Sequence, residues 1–280
     1  VVGSQTLVLR YRPKEKGDFE LSVQIPPDPA ERIQENNRVT FPVFVTDPKI
    51  KILYIEGVLR QEYRAVRRVL EFDPNVELVS FVRTAPEGLV FLHQGEIPGV
   101  KVGDIPTAMD QLKLFDVLIL GSVDMSVLKA KRLEPATIRK FVEEGGGFLA
   151  LGGRHSFGPG GYAGTEIEEI LPVYLGGLDA GQEEAPFWMR LDPPGITHPI
   201  FAGCAEFFTE GDARAEMEEL KLLGCSIVVR KKPAATILAS DLKRRNEHGP
   251  LIVLAVQPYP RGRTAALTID STWRWYSPLR

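Results

Sequence analysis

The side chains of this chain that could attack a carbonyl or take its proton are His155, Ser156, His198 and Cys204. His155 and Ser156 are adjacent in Phe148-Leu-Ala-Leu-Gly-Gly-Arg-His-Ser156, whereas His198 stands in Thr197-His-Pro199 and Cys204 in Phe201-Ala-Gly-Cys-Ala-Glu206. A nucleophile needs a base within hydrogen-bond reach, and the base needs a group that orients it. Neighbours in sequence rarely face each other, so Ser156 and His155 are hard to align as such a pair. Cys204 has apolar flanks and no adjoining cation to favour a thiolate, which is the setting of a structural thiol. Cys225 precedes the β-branched run Ser226-Ile-Val-Val229 and is expected to pack in a strand. Neither cysteine has the close Cys or His spacing of a metal site, and the acidic stretches Glu166-Ile-Glu-Glu169 and Glu216-Met-Glu-Glu219 lack a converging His or Asp. No metal is expected. Nor is a cofactor, because Gly158-Pro-Gly-Gly161 lacks the Lys and Ser/Thr of a P-loop and the glycine spacing of a dinucleotide site; it is expected to form a surface loop.

The elements that position these groups are legible from periodicity. Ile138-Arg-Lys-Phe-Val-Glu-Glu-Gly-Gly-Gly147 is the end of an amphipathic helix closed by glycines, followed by a buried strand and a sharp glycine turn. Lys49 to Gly57, Val76 to Val82 and Leu114 to Gly121 are further strands, and Glu62 to Phe72 and Pro135 to Glu144 are helices. Strands alternating with helices imply a parallel sheet, whose carboxyl edge is where ligands bind in open α/β folds. Three strand ends converge there: Glu56-Gly57, Gly121-Ser-Val-Asp124 and Gly152-Gly-Arg-His-Ser156. With Arg60 at the start of the first helix, this gives a candidate ligand-binding set of Glu56, Arg60, Ser122, Asp124, Gly153, Arg154, His155 and Ser156. Arg154 could hold a carboxylate or phosphate bidentately. The alternative is that Glu56 and Arg154 pair with each other and close the crevice.

Elsewhere, Thr6–Tyr11, Asp18–Ile25 and Arg38–Val45 alternate with period two and read as strands of a β-sandwich fragment. The pattern changes at Asp47-Pro48, dividing the chain into residues 1–47 and 48–280. Thr84 to Asp110 is read as a long excursion without period. Ala234–Ala239, Gly249–Val256 and Arg263–Ile269 are read as an antiparallel extension of the sheet, with Trp273 and Trp275 on a strand continuation. In 280 residues the net charge is -3, which argues against nucleic acid as a partner. No apolar run approaches the ~20 residues that span a bilayer, so no membrane insertion is expected. The start at Val1-Val2 suggests a piece of a longer protein.

Ile52-Leu-Tyr-Ile-Glu-Gly57 with Glu62-Tyr-Arg64, Phe115 to Gly121, Phe141-Val-Glu-Glu-Gly-Gly-Gly-Phe-Leu-Ala-Leu-Gly-Gly153 and the tail Gly262 to Trp275 resemble class I glutamine amidotransferase-like domains. The nearest group is that attached to bacterial membrane proteins carrying von Willebrand factor A modules. The resemblance implies an α/β, flavodoxin-like three-layer sandwich preceded by part of an immunoglobulin-like β-sandwich. A working member uses a cysteine in a Gly-x-Cys-x-Gly elbow and a later His-x-Glu pair. In Gly152-Gly-Arg-His-Ser156, Gly153 or Arg154 stands where sulfur is required, and His198 is followed by Pro199-Ile200. The expectation is therefore a pseudoenzyme: a non-catalytic ligand-binding or assembly module of a larger, membrane-associated bacterial protein. Its partners would be other modules of that polypeptide and a small ligand at the sheet edge. The alternative is a hydrolase or amidotransferase with a rearranged site using His155, Ser156 or His198. A third option is a filled crevice in a domain that only spaces other modules.

Overall fold

A computed structural model describes residues 9, 11, 17–27, 37–45, 49–85, 88–97, 103–178, 180–209 and 217–276. The chain divides into two compact units, Val1–Lys49 and Ile50–Arg280. In the first, β1 (Gly17–Gln24) and β2 (Arg38–Val45) form an antiparallel hairpin. Its register places Phe19, Leu21 and Val23 opposite Val43, Phe41 and Val39, so one face is apolar throughout. Of the expected strand Thr6–Tyr11, all but Leu9 and Tyr11 lie outside the described residues.

The second unit runs β3 (Ile50–Glu56), α1 (Gln61–Phe72), β4 (Val76–Arg83), β5 (Phe91–Gln94), α2 (Met109–Leu112), β6 (Val117–Leu120), α3 (Met125–Ala130), α4 (Pro135–Glu143) and β7 (Gly147–Leu151). It continues with α5 (Glu166–Ile170), β8 (Val173–Leu175), β9 (Gln182–Phe187), β10 (Met189–Leu191), α6 (Pro193–Ile196), β11 (Leu222–Ser226) and β12 (Val228–Lys231). Last come β13 (Thr236–Asn246), β14 (Gly249–Tyr259), β15 (Gly262–Leu267) and α7 (Trp273–Tyr276). One nine-stranded sheet has the order β10-β13-β14-β15-β7-β6-β3-β4-β5, and the pairs β11-β9 and β12-β8 stand apart from it. Strands β4, β3, β6, β7 and β15 are mutually parallel, whereas β5 at one margin pairs antiparallel with β4, and at the other margin β14, β13 and β10 each pair antiparallel with the strand before them in the order β15-β14-β13-β10.

This mixed, strand-dominated architecture overturns the expectation of a flavodoxin-like three-layer sandwich and, with it, of a class I glutamine amidotransferase fold. Among the described residues only α1 and α4 reach the length of a crossover helix; α3 and α5 have 6 and 5 residues. From Val173 onward the β-branched and apolar runs pair with one another instead of alternating with helices. Among the described residues no helix is long and apolar enough to cross a membrane.

Two further expectations change. Within the stretch expected to be a periodless excursion, Phe91–Gln94 pairs with β4, and the His93 ring stacks on Phe81 at 4.9 Å. Its polar His93 and Gln94 hid an edge strand. Trp273 and Trp275 are helical rather than on a strand, because Glu62 accepts from the Trp273 N–H at 3.0 Å and from Thr272 Oγ1 at 2.6 Å. A carboxylate there satisfies donors that the first helical turn leaves without partners.

The central strands are buried on both faces. Leu53, Ile55, Val79, Phe81, Leu118 and Leu120 meet α3 and α4 through Leu128, Ile138, Phe141 and Val142. Ile52, Tyr54, Leu78 and Ile119 meet Tyr63 of α1. Phe141 is 3% exposed, whereas Phe72 at the end of α1 is 74% exposed. In urea unfolding, Phe141→Ala is expected to lose about 3–5 kcal/mol, while Phe72→Ser should stay within about 0.5 kcal/mol of the parent. Equal effects would contradict this assignment of faces.

Candidate functional site

Strand alternation puts Tyr54 and Glu56 on one face of β3, and Glu56 ends with no exposure to water at the carboxyl edge of the parallel strands. Removing a carboxylate from water is costly unless charge and hydrogen bonds replace the solvent. Glu56 Oε1 accepts from the Ser122 N–H at 2.8 Å and the Val58 N–H at 3.3 Å. Oε2 accepts from Tyr54 Oη at 2.9 Å and from Arg60 Nε and Nη2 at 3.2 and 3.1 Å. Arg60 Nη1 also binds Asp270 Oδ2 at 3.0 Å. Burial works against the Arg60 charge, but Glu56, Tyr54 and Asp270 outweigh it and hold the guanidinium above its usual pKa. Burial, then the Glu56 charge, push the Tyr54 phenol well up. The carboxylate lies against Gly121, where a Cβ would fall 2.2 Å from Oε2.

The turn after β7 is packed onto this network. The Gly152 N–H donates to Leu267, the Gly153 N–H to Ser226 Oγ at 3.3 Å, and the His155 N–H to Ser122 Oγ at 3.0 Å. Gly153 has φ +141, which a residue with a side chain rarely adopts. A Cβ there would stand 2.7 Å from Arg60 Nη1 and 2.7 Å from Ser122 Oγ. Position 153, one of the two where the resemblance would require sulfur, thus has neither the backbone nor the space for a thiol, since Arg60 is pinned by two carboxylates; position 154, the other, carries an exposed side chain.

Of the sequence-derived set, Glu56, Arg60, Ser122 and Gly153 come together. Asp124 caps α3, accepting from the Val127 N–H at 3.1 Å and from Ser126 Oγ. Burial would raise its pKa, yet those bonds and His155 bring it below the ordinary value. Arg154 is 76% exposed and pairs with Glu184 at 2.6 Å, so the suggested Glu56–Arg154 closure does not form; Arg60 takes that place. The His155 side chain is exposed, while Ser156 is fully buried and donates to the Gly121 carbonyl at 3.1 Å, so the two side chains do not form a nucleophile–base pair. His198 Nδ1 accepts from the Ile200 N–H at 3.3 Å, and Cys204 Sγ contacts the Phe201 carbonyl at 3.6 Å, both in the turns 198–204. Burial pushes the Cys225 thiol up to about 12. Among the described residues no group of His, Cys, Asp and Glu is arranged to hold a metal ion. A cleft of 540 Å³ opens at the opposite, amino edge beside Asp116, Phe141 and Arg261, where Lys113 and Glu144 pair at 2.6 Å.

Sequence reasoning missed Asp270, Ser226 and the Tyr54 hydroxyl. The signal for Asp270 was available. Arg263 to Leu267 is parallel to β7, so the residues after Leu267 emerge at the same carboxyl edge as Gly152 and Gly153. Assigning that strand to the antiparallel extension concealed this.

No known protein family matches the sequence, and no curated protein is similar to it. Among solved structures, the chain is similar to the cytoplasmic protein STM1381 of Salmonella typhimurium LT2, with a TM-score of 0.55 at 17% identity over 82% of this chain and 91% of that one. The cytoplasmic protein STM3548 of Salmonella typhimurium gives 0.52 at 18% identity over 79% and 88%. At such identities the likeness concerns the fold alone. A β-galactosidase from Rahnella sp. R3 overlaps less closely, 0.43 at 11% identity over 81% of this chain and 30% of that one.

Glu62 offers a test of how the segment after β15 is held. Burial, outweighing its bonds from Thr272 and Trp273, raises this carboxyl above 4.5. A raised folded-state pKa contributes stability that is fully present below 4.5 and lost as pH climbs through the raised value. In urea unfolding between about pH 4 and about pH 7, wild type should lose stability relative to Glu62→Gln as pH rises. A difference that stays constant, or changes in the opposite sense, would contradict the burial of an acid at this point.

Proposed function

We propose that this chain is a non-catalytic ligand-binding or assembly module, acting beside other modules of its polypeptide and taking a small ligand at the carboxyl edge of its parallel strands. The observation that carries this reading is the turn 153–154: Gly153 has a backbone that side chains rarely adopt, with Arg60 and Ser122 standing where a Cβ would go, and Arg154 carries a guanidinium that points out to Glu184 instead of a nucleophile. A nucleophile elbow must present its sulfur or oxygen to the substrate with backbone donors free for the oxyanion. Here the Gly153 and His155 N–H groups are engaged by Ser226 and Ser122. Against the alternative of a rearranged hydrolase stand the burial of Ser156, the exposure of His155 and the local bonding of His198.

Incubation of the purified chain with glutamine is expected to release no ammonia above the protein-free rate. Gly153→Cys should remain inactive and unfold at lower temperature, by about 1–3 kcal/mol of strain and displacement. Turnover that disappears on changing Cys204 or Ser156, or a Gly153→Cys variant that is stable and active, would overturn the reading.

A further inference from the structure

A cavity of 280 Å³ lies between the loop 103–107, the connection from α2 to β6 and the residue that ends α3. Its floor is apolar: Ile105 and Phe115 are 5% and 4% exposed, and Pro106 is buried. Its polar wall is made by Lys131, Asp104, Gln111 and Thr107. The Lys131 side chain is only 17% exposed, yet an ammonium carries three N–H donors to satisfy. Among the described residues its hydrogen-bonding partner is Asp104, at 3.2 and 3.3 Å, and the Phe91 ring lies 5.4 Å away. One carboxylate accounts for at most two of the three donors. Asp104 is itself 70% exposed, and the Ile105 N–H at 2.8 Å, ahead of Lys131, outweighs burial and holds its pKa below the ordinary value. An ion pair with so exposed a member contributes little stability and yields readily to other partners. Gln111 Oε1 accepts from the Thr107 and Ala108 N–H groups at 3.2 and 3.3 Å, which fixes the amide plane and turns Nε2 away from them.

We propose that this cavity binds an apolar α-amino acid as its zwitterion. The ligand carboxylate takes Lys131 Nζ and Gln111 Nε2, the ligand ammonium takes Asp104, and the side chain lies on Ile105 and Phe115. The wall holds one cation and one anion, so a zwitterion leaves neither unmatched. A carboxylate alone meets repulsion from Asp104, and an amine alone meets it from Lys131, which is the repulsive half of the selectivity. The volume equals that of roughly nine waters at ~30 Å³ each, which admits a ligand about the size of leucine. The site stands beside Phe115, just before β6, and so at the other end of the parallel strands from Glu56. It is independent of the ligand proposed at the carboxyl edge.

The test is calorimetric titration of the full chain with leucine, 4-methylpentanoate, isopentylamine and glycine. Leucine should bind, and the three analogues, which lack its ammonium, its carboxylate and its side chain in turn, should each bind at least about tenfold more weakly. Lys131→Met keeps the apolar stem and should weaken leucine at least about tenfold. Asp104→Asn should weaken leucine by a similar factor while leaving 4-methylpentanoate bound no less tightly than in wild type. Should Lys131→Met fail to fold, Asp104→Asn, which changes an exposed side chain, decides the matter by that reversal. No heat of binding with leucine, or 4-methylpentanoate binding as tightly as leucine to wild type, would overturn the proposal. Leucine binding that survives both substitutions would also overturn it, while leaving the reading of the carboxyl edge untouched.

Discussion

A carboxylate without access to water, Glu56, sets the terms for the whole carboxyl edge. Its desolvation is offset only if donors surround it, and each neighbour is placed accordingly: the Tyr54 hydroxyl from its own strand, the Ser122 and Val58 amides from adjoining turns, the Arg60 guanidinium from the helix start. Gly121 is required for the same reason, since any side chain would enter the carboxylate. The charge of Arg60 then needs a further acceptor, which Asp270 supplies from a distant part of the chain. One buried group thus ties β3, β6, α1 and the segment after β15 into a single unit.

That segment is held by more than Asp270. Thr272 and Trp273 bond to Glu62, Ser271 Oγ accepts from the Leu223 N–H at 2.9 Å, and Trp275 Nε1 donates to the Leu220 carbonyl at 3.2 Å. Its bonds to α1 are ionic or charge-assisted and run to side chains, whereas β15 itself is locked by backbone ladders to β7 and β14. Segments held by a few side-chain bonds open at lower free energy than strands held by ladders.

Much of the parallel core was legible because its strands are continuous apolar runs and its two longer helices repeat with helical period; β3, β4, β6, β7, α1 and α4 follow from those patterns. The overall class was not. The sequence motifs belong to the central strands, and they carry no information on how the 172–259 region pairs, where short helices and β-branched runs build antiparallel margins. At the site, Glu56, Arg60, Ser122 and Gly153 could be found from strand ends, since their neighbours in sequence fix which edge they occupy. The partner of Arg60 could not, because Asp270 is 210 residues away and its position depends on whether β15 is parallel or antiparallel to β7. Arg154 was the guanidinium expected to hold a carboxylate or to pair with Glu56, but the turn directs it outward to Glu184.

Replacing a buried ion pair by apolar residues of similar volume is often neutral or stabilising, so stability alone does not account for Glu56, Arg60 and Asp270. The best-attested use of such a network is to select one arrangement among several. Arg60 fixes the entry of α1 relative to β3, and Asp270 and Glu62 fix where the chain crosses the strand ends. The same guanidinium occupies the space a side chain at position 153 would need. A side chain at position 153 would displace the guanidinium on which the burial of Glu56 depends.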